Sequence, residues 1–150
     1  MNDAPRRPVA LVTGASRGIG AATVRALANE FDVIAAARDV AALEALAAET
    51  GATPMAFDAT RDVDIDALGD LDIDAAVLNQ GIITSARPFQ EQGRDEIDRQ
   101  IAVNLRASMA ATRVLLPGMI ARGSGHLVFL TSLMARHPFA SAAIYGATEA

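Results

Sequence analysis

One segment narrows the possible folds more than any other: Thr13-Gly14-Ala15-Ser16-Arg17-Gly18-Ile19-Gly20. It follows Val9-Ala10-Leu11-Val12-Thr13, an apolar run that reads as a buried strand. It opens the stretch Ile19 to Asn29, whose apolar residues recur at helical spacing. A glycine-rich turn between strand and helix lets main-chain N–H groups approach a phosphate seated on the helix N-terminus. The spacing gives Gly14 the tight turn, Gly18 the close approach and Gly20 the packing of helix on sheet. A Walker loop is disfavoured, because all 13 basic residues are Arg and no Lys follows the last glycine. The G-x-G-x-x-G variant is also absent. A plain strand-to-helix turn is the alternative reading of these residues.

The rest of the chain repeats the same alternation. Asp32 to Ala37 reads as a second strand and Val40 to Thr50 as a helix, N-capped by Asp39 and closed by Gly51. Pro54 to Phe57, Asp74 to Leu78 and His126 to Thr131 are the third to fifth strands. Asp95 to Ala121 is a long helical pattern, with Pro117 marking a kink or break, and a further helix starts at Ala142. Apolar strands alternating with helices predict an α/β fold: a Rossmann-like, doubly wound parallel sheet of order 3-2-1-4-5, with ligand at the carboxyl ends of the strands. Residues 1–150 then form one dinucleotide-binding domain, consistent with 150 residues of 51% hydrophobic composition.

Composition removes several function classes. The absence of Cys excludes disulfide, zinc-thiolate and thiol-nucleophile chemistry. A net charge of −5 argues against nucleic acid or an anionic membrane as partner. No apolar run is long enough to span a bilayer and no signal-like segment opens the chain, so a cytoplasmic protein is expected. Seven Asp residues from Asp58 to Asp74 read as a solvated helix and its loops, and no metal site is expected.

The tip of the second strand bears on the choice of cofactor. An acidic residue there accepts from an adenosine 2′-hydroxyl, whereas an Arg accommodates a 2′-phosphate. The strand ends Ala35-Ala36-Ala37-Arg38, and its nearest carboxylate, Asp39, is assigned to capping. Arg38, with Arg17 in the loop, makes a cationic seat, which favours NADP over NAD.

These residues resemble the short-chain dehydrogenase/reductase family along the whole chain. Thr13–Gly20 fits its T-G-x3-G-x-G pattern, with Gly14, Ser16, Arg17, Gly18, Ile19 and Gly20 toward the cofactor. Asp58, followed by Ala59, fits the acidic residue that holds the adenine amino group. Asn79-Gln80-Gly81 fits the turn after the fourth strand, with Gln80 where Ala is common. Asn104 fits the Asn that supports a proton-relay water. Ser132 and Tyr145, thirteen residues apart, fit the catalytic pair. The resemblance implies hydride transfer between NADP(H) and a carbonyl or alcohol, with Tyr145 as acid/base and Ser132 bonded to the same oxygen. Leu133 to Phe139 would line the substrate pocket, His137 belongs to its rim, and His126 is structural.

Two departures point to an impaired relative or a fragment as the second reading. The family carries Lys four residues after the Tyr, where this chain has Glu149. A unit charge at ~5 Å and an effective dielectric of ~20 is worth roughly 3 kcal/mol, so a carboxylate there works against a phenolate instead of for it. The chain also stops at Ala150, whereas family members continue with further strands and a loop over substrate. A truncated sheet is therefore expected, with its fifth strand an open edge or covered in an assembly, homo-oligomeric or otherwise.

Overall fold

The computed structural model describes residues 6–137 and 139–150. Strands β1 (Val9–Thr13), β2 (Asp32–Ala37), β3 (Thr53–Ala56), β4 (Ala75–Leu78) and β5 (His126–Phe129) form one parallel sheet of order β3-β2-β1-β4-β5. Helices α1 (Gly18–Leu27), α2 (Val40–Thr50), α3 (Asp62–Asp66), α4 (Arg94–Gln100), α5 (Ala107–Arg122) and α6 (Ala143–Glu149) connect and cover the strands. This is the expected doubly wound architecture.

The period of two in a strand explains why the sheet has a core on each face. Leu11, Ala36, Ala76 and Leu78 pack with Ile65 and Leu68 and with Ala107, Ala111, Leu115 and Met119 of α5. Their alternates Val12, Val33, Ala35 and Ala37 pack with Ala21 and Val24 of α1 and with Leu43 and Leu46 of α2. Centrally placed β1 is therefore buried on both sides, which is why it reads as an unbroken apolar run. The first core includes the alanines Ala36 and Ala76 from the sheet and Ala107 and Ala111 from α5, so helix and sheet can pack closely there.

Local signals set most boundaries. The Asp39 carboxylate accepts from the Ala42 N–H at 3.1 Å, so the predicted cap of α2 is present. Gly51 closes that helix at φ 75°, a left-handed conformation that glycine adopts without a Cβ penalty. α1 starts one residue earlier than expected and ends at Leu27, and β3 is shifted by one residue. β5 ends at Phe129, short of the expected Thr131, although the Leu130 N–H still donates to Leu78 O at 3.1 Å. With β5 at the sheet edge, there is no partner beyond it to prolong the strand.

The long helix departs from expectation in an instructive way. It continues through Pro117 to Arg122, held on the sheet by buried Leu115 and Met119 on either side of the proline. Its irregularity lies earlier, at Ile101–Arg106, which winds as a π-helical turn between α4 and α5. Such turns redirect side chains and are frequent at functional sites. Here the turn contains Asn104.

The acidic segment forms α3 and a 3-10 turn at Ala67–Asp70. Asp62 pairs with Arg106 at 2.6 Å, while Asp72 and Asp74 pair with Arg6. Among the described residues, no group of three or more His, Asp or Glu is placed to hold a metal ion. No helix among them is long and apolar enough to cross a membrane.

Candidate functional site

All five strands are parallel, so the segments after Thr13, Ala37, Ala56, Leu78 and Phe129 emerge along the same edge of the sheet. Most of the residues singled out in the sequence lie on those segments. Gly14, Ser16, Arg17, Gly18, Ile19 and Gly20 follow β1, and Arg38 follows β2. Asp58 and Ala59 follow β3, Asn79 and Gly81 follow β4, and Ser132 follows β5. Asn104 sits in the π-helical turn and Tyr145 on α6.

The glycine loop has the geometry that a phosphate cradle needs. Gly14 (φ 63°) and Gly18 (φ 55°) both take left-handed conformations. A Cβ on Gly14 would stand 2.9 Å from Asn79 Nδ2 and 3.2 Å from Gln80 Cα, so the turn after β4 presses directly on the loop. A Cβ on Gly20 would stand 2.3 Å from the Gly14 carbonyl oxygen, which no side chain permits. Gly18, by contrast, has open space where its side chain would be, as approach of a ligand requires. Asn79 fastens the cradle from behind: its Nδ2 donates to Thr13 O (3.0 Å) and Gly14 O (3.2 Å). Arg17 occupies the N-cap of α1 without using its side chain as a cap.

At the tip of β2, Arg38 is exposed and, among the described residues, neither it nor Arg17 forms a salt bridge. Asp39 is engaged as the α2 cap. Asp58 Oδ1 accepts from the Thr60 N–H (2.9 Å) and hydroxyl (2.7 Å). These bonds, with the nearby positive charges of Arg38 and Arg61, hold its carboxyl below the usual carboxylate range. Ala59 beside it is buried. An open glycine cradle, two unpaired arginines and an ionised Asp beyond them fit a dinucleotide carrying an extra phosphate on its adenosine half.

The other half of the site gathers on α6 and the π-helical turn. Asn104 is buried, and its side chain is fully engaged. Oδ1 accepts from the Ile82 N–H at 2.9 Å, while Nδ2 donates to Ile82 O (2.9 Å) and to Thr148 Oγ1 (3.1 Å). It therefore clips the segment after β4 to α6. Ser132 does not directly follow β5, as an expected strand from His126 to Thr131 would place it. It lies three residues beyond the strand and heads a 3-10 turn, Leu133–Ala135, its Oγ accepting from the Met134 N–H at 3.2 Å. The reason is again the early end of the edge strand, after which local capping decides the backbone. α6 packs on that turn so closely that a Cβ on Gly146 would stand 3.0 Å from Met134 O. Tyr145 and Ser132 thus sit on two elements in direct contact, both half-buried.

A cleft of about 380 Å³ opens beside these elements, lined among others by Gln80, Asn104, Ser108, Phe129, Thr131 and Glu149. The Leu133 to Phe139 segment, expected to line a pocket, lies outside it. Leu133 and Phe139 are more than half exposed, and Pro138 lies outside the described residues. His137 is exposed, and His126 begins β5, at the edge opposite the site. Glu149 Oε1 stands 4.0 Å from where a Gly81 Cβ would be. Burial alone raises its carboxyl above the ordinary value.

Sequence reasoning missed Ser108, Thr148 and Gly146 as parts of the site. Gly146 carried a signal, a glycine inside a helix, which usually marks a close packing contact. Ser108 and Thr148 carried none, because Ser and Thr are common everywhere and only the tertiary fold brings these two to Gln80 and Asn104.

Strand order and glycine turn together define a Rossmann-like α/β protein with a nucleotide-type cradle. The chain belongs to the short-chain dehydrogenase family, whose model matches residues 8–150. It is 37% identical over 152 residues to an uncharacterized short-chain type dehydrogenase/reductase of Sinorhizobium fredii, covering 100% of this chain and 61% of that protein. A probable NADP-dependent dehydrogenase of Haemophilus influenzae is 31% identical, with 94% of this chain and 60% of the relative aligned. Among solved structures, a metagenomic short-chain oxidoreductase in complex with NADP superposes with a TM-score of 0.90 at 36% identity, over 95% of this chain and 70% of that one. The chain spans about three-fifths of the length of the curated relatives it matches.

Proposed function

We propose that this chain binds NADP(H) across the carboxyl edge of its sheet and serves an oxidoreductase that interconverts a carbonyl and an alcohol. The observation that carries the reading is the cradle itself: Gly14 and Gly20 are locked against backbone while Gly18 is left open at the head of α1. Gly14, Ser16, Arg17, Gly18, Ile19 and Gly20 would hold the pyrophosphate, Arg38 the 2′-phosphate, and Asp58 and Ala59 the adenine. Asn79, Gly81 and Tyr145 would flank the nicotinamide half. Preference for NADP over NAD follows from Asp39 being committed to its cap while Arg38 forms no salt bridge among the described residues. The similar proteins named for NADP support it.

When bound, the nicotinamide supplies or accepts the hydride. The chain's own residues handle the proton. The Tyr145 hydroxyl would give its proton to the carbonyl oxygen in reduction and take it back in oxidation, with the Ser132 hydroxyl bonded to the same oxygen. Asn104 would hold α6 in place through Thr148. Fluorescence titration with NADPH and NADH tests the binding step. Arg38→Ala should weaken NADPH by roughly 10- to 100-fold, the loss of one charge-assisted phosphate contact, and leave NADH nearly unchanged. Absence of NADPH binding by the unaltered protein would remove the proposal.

Glu149 favours a second reading, a nucleotide-binding relative with impaired turnover. Its carboxylate stands where the family resemblance implies a Lys, and burial without a cationic partner is what shifts it. Glu149→Lys should raise carbonyl reduction at least ~10-fold if charge alone holds the scaffold back. Intact cofactor binding with no such gain would leave only the binding role.

A further inference from the structure

A run of hydrogen bonds through side chains and two backbone carbonyls joins the end of β1 to the helix of Tyr145, and its link through Gln80 and Ser108 is used by no step above. It starts at the end of β1, where the Asn79 N–H donates to Thr13 Oγ1 at 3.0 Å and the Thr13 hydroxyl donates to Gln80 Oε1. Gln80 Nε2 donates to Ser108 Oγ at 2.9 Å, and the Ser108 hydroxyl donates to the Asn104 carbonyl at 3.2 Å. Asn104 Nδ2 then donates to Thr148 Oγ1 at 3.1 Å, and the Thr148 hydroxyl donates to the Tyr145 carbonyl at 2.9 Å. A hydroxyl has one proton to give. Ser108 and Thr148 each accept on one side and donate on the other, and Thr13 does the same toward Gln80, with Val77 O at 3.3 Å as a second, longer acceptor for its proton.

Gln80 is the member that makes the thread continuous. Thr13 belongs to β1 and Ser108 to α5, and the Gln80 amide is what bridges them. An Ala at that position would make neither bond. The segment also presses on the cradle, because a Cβ on Gly14 would stand 3.2 Å from Gln80 Cα. We propose that Gln80 is a positioning residue that couples the nucleotide loop to the Tyr145 helix through Ser108, Asn104 and Thr148. Ordering of the loop by a cofactor is then felt at α6, and reciprocally, since a coupling free energy acts equally in both directions. The inference rests on the cofactor reading for its ligand, but the thread exists without one. Asn104 and Thr148 are buried, where bonds of this kind are costly to break singly.

Hydrogen exchange of the purified protein, with and without NADPH, tests the coupling on Gln80→Leu, which keeps volume and removes both bonds. In the unaltered protein NADPH should slow amide exchange in both Thr13–Gly20 and α6. In Gln80→Leu the protection should remain in the loop and vanish from α6, with NADPH affinity lowered about fivefold, the worth of roughly one hydrogen bond. Ser108→Ala breaks the same thread with less change to the loop and should reproduce the loss at α6 if Gln80→Leu fails to fold. Persistent protection of α6 in a folded variant would overturn the coupling, since a merely structural Gln80 would lower stability without uncoupling the two elements. If the unaltered protein bound no NADPH, the cofactor reading would fall by itself. The thread would then be judged on the free protein, where both variants should speed α6 exchange, and unchanged exchange would overturn it.

Discussion

The two halves of the sheet are built to different standards. Around β1 and β2 nearly every central side chain is buried, on both faces, and the turn after β1 is closed by Gly14 and Gly20, where a Cβ would collide with neighbouring atoms. Around β5 the strand is short and at an edge, with Val128 46% and Phe129 48% exposed. The loop that would hold the cofactor grows from the first region, and Ser132 and Tyr145 grow from the second. The glycine loop is thus fixed by the core, whereas the placement of Ser132 and Tyr145 depends on capping bonds, the Gly146 contact and the hydrogen bonds through Gln80.

That contrast can be broken experimentally. Leu11→Ala, at the centre of the buried half, should cost about 3 kcal/mol in a urea titration, whereas Val128→Ala should cost under ~1 kcal/mol. Equal losses would mean that β5 is covered in solution. Gly20→Ala should cost about 1–3 kcal/mol, because the added methyl meets immovable backbone at Gly14, and should also abolish NADPH binding. Loss of binding without loss of stability would show that the loop, and not the packing beneath it, needs that glycine.

The smallest expected effect is on pH dependence, and it differs in sign between the halves. Asp58 is held below its ordinary value first by the Thr60 N–H, and Asp74 first by the Val9 N–H, with Arg6 also paired to it. Their stabilisation is complete above the unfolded carboxylate value and is lost as pH falls through the lower folded one. Glu149 is raised by burial, so its contribution is present below the unfolded value and lost as pH rises through the folded one. Urea midpoints between about pH 2 and pH 7 should show Asp74→Asn flattening the acid limb and Glu149→Gln removing the loss at higher pH.

Much of the first half was legible in the residues. The apolar run of β1, the Asp39 cap and Gly51 are local signals, and each lies where it was read. The strand order followed from alternation of strands and helices. The long helix was less legible. Pro117 suggested a break that packing of Leu115 and Met119 prevents, and nothing in Ile101–Arg106 announced a π-helical turn. The fifth strand was read on to Thr131, directly before Ser132, because β-rich residues precede it, but an edge strand lacks the second neighbour that would extend it.

By itself, the sequence determined the parallel α/β order and the place of the glycine turn between β1 and α1, because these depend on periodicity and on glycines that act within a few residues. It also put Arg38 at the tip of β2 and Asp39 in a cap. Only the tertiary structure decided that Asn104 clips Ile82 to Thr148, that Gly146 admits the Met134 carbonyl, and that Gln80 bridges β1 to α5. Those contacts join residues far apart in the chain, and hydrogen-bond partners at such separations are chosen by where the packed core sets the backbones down.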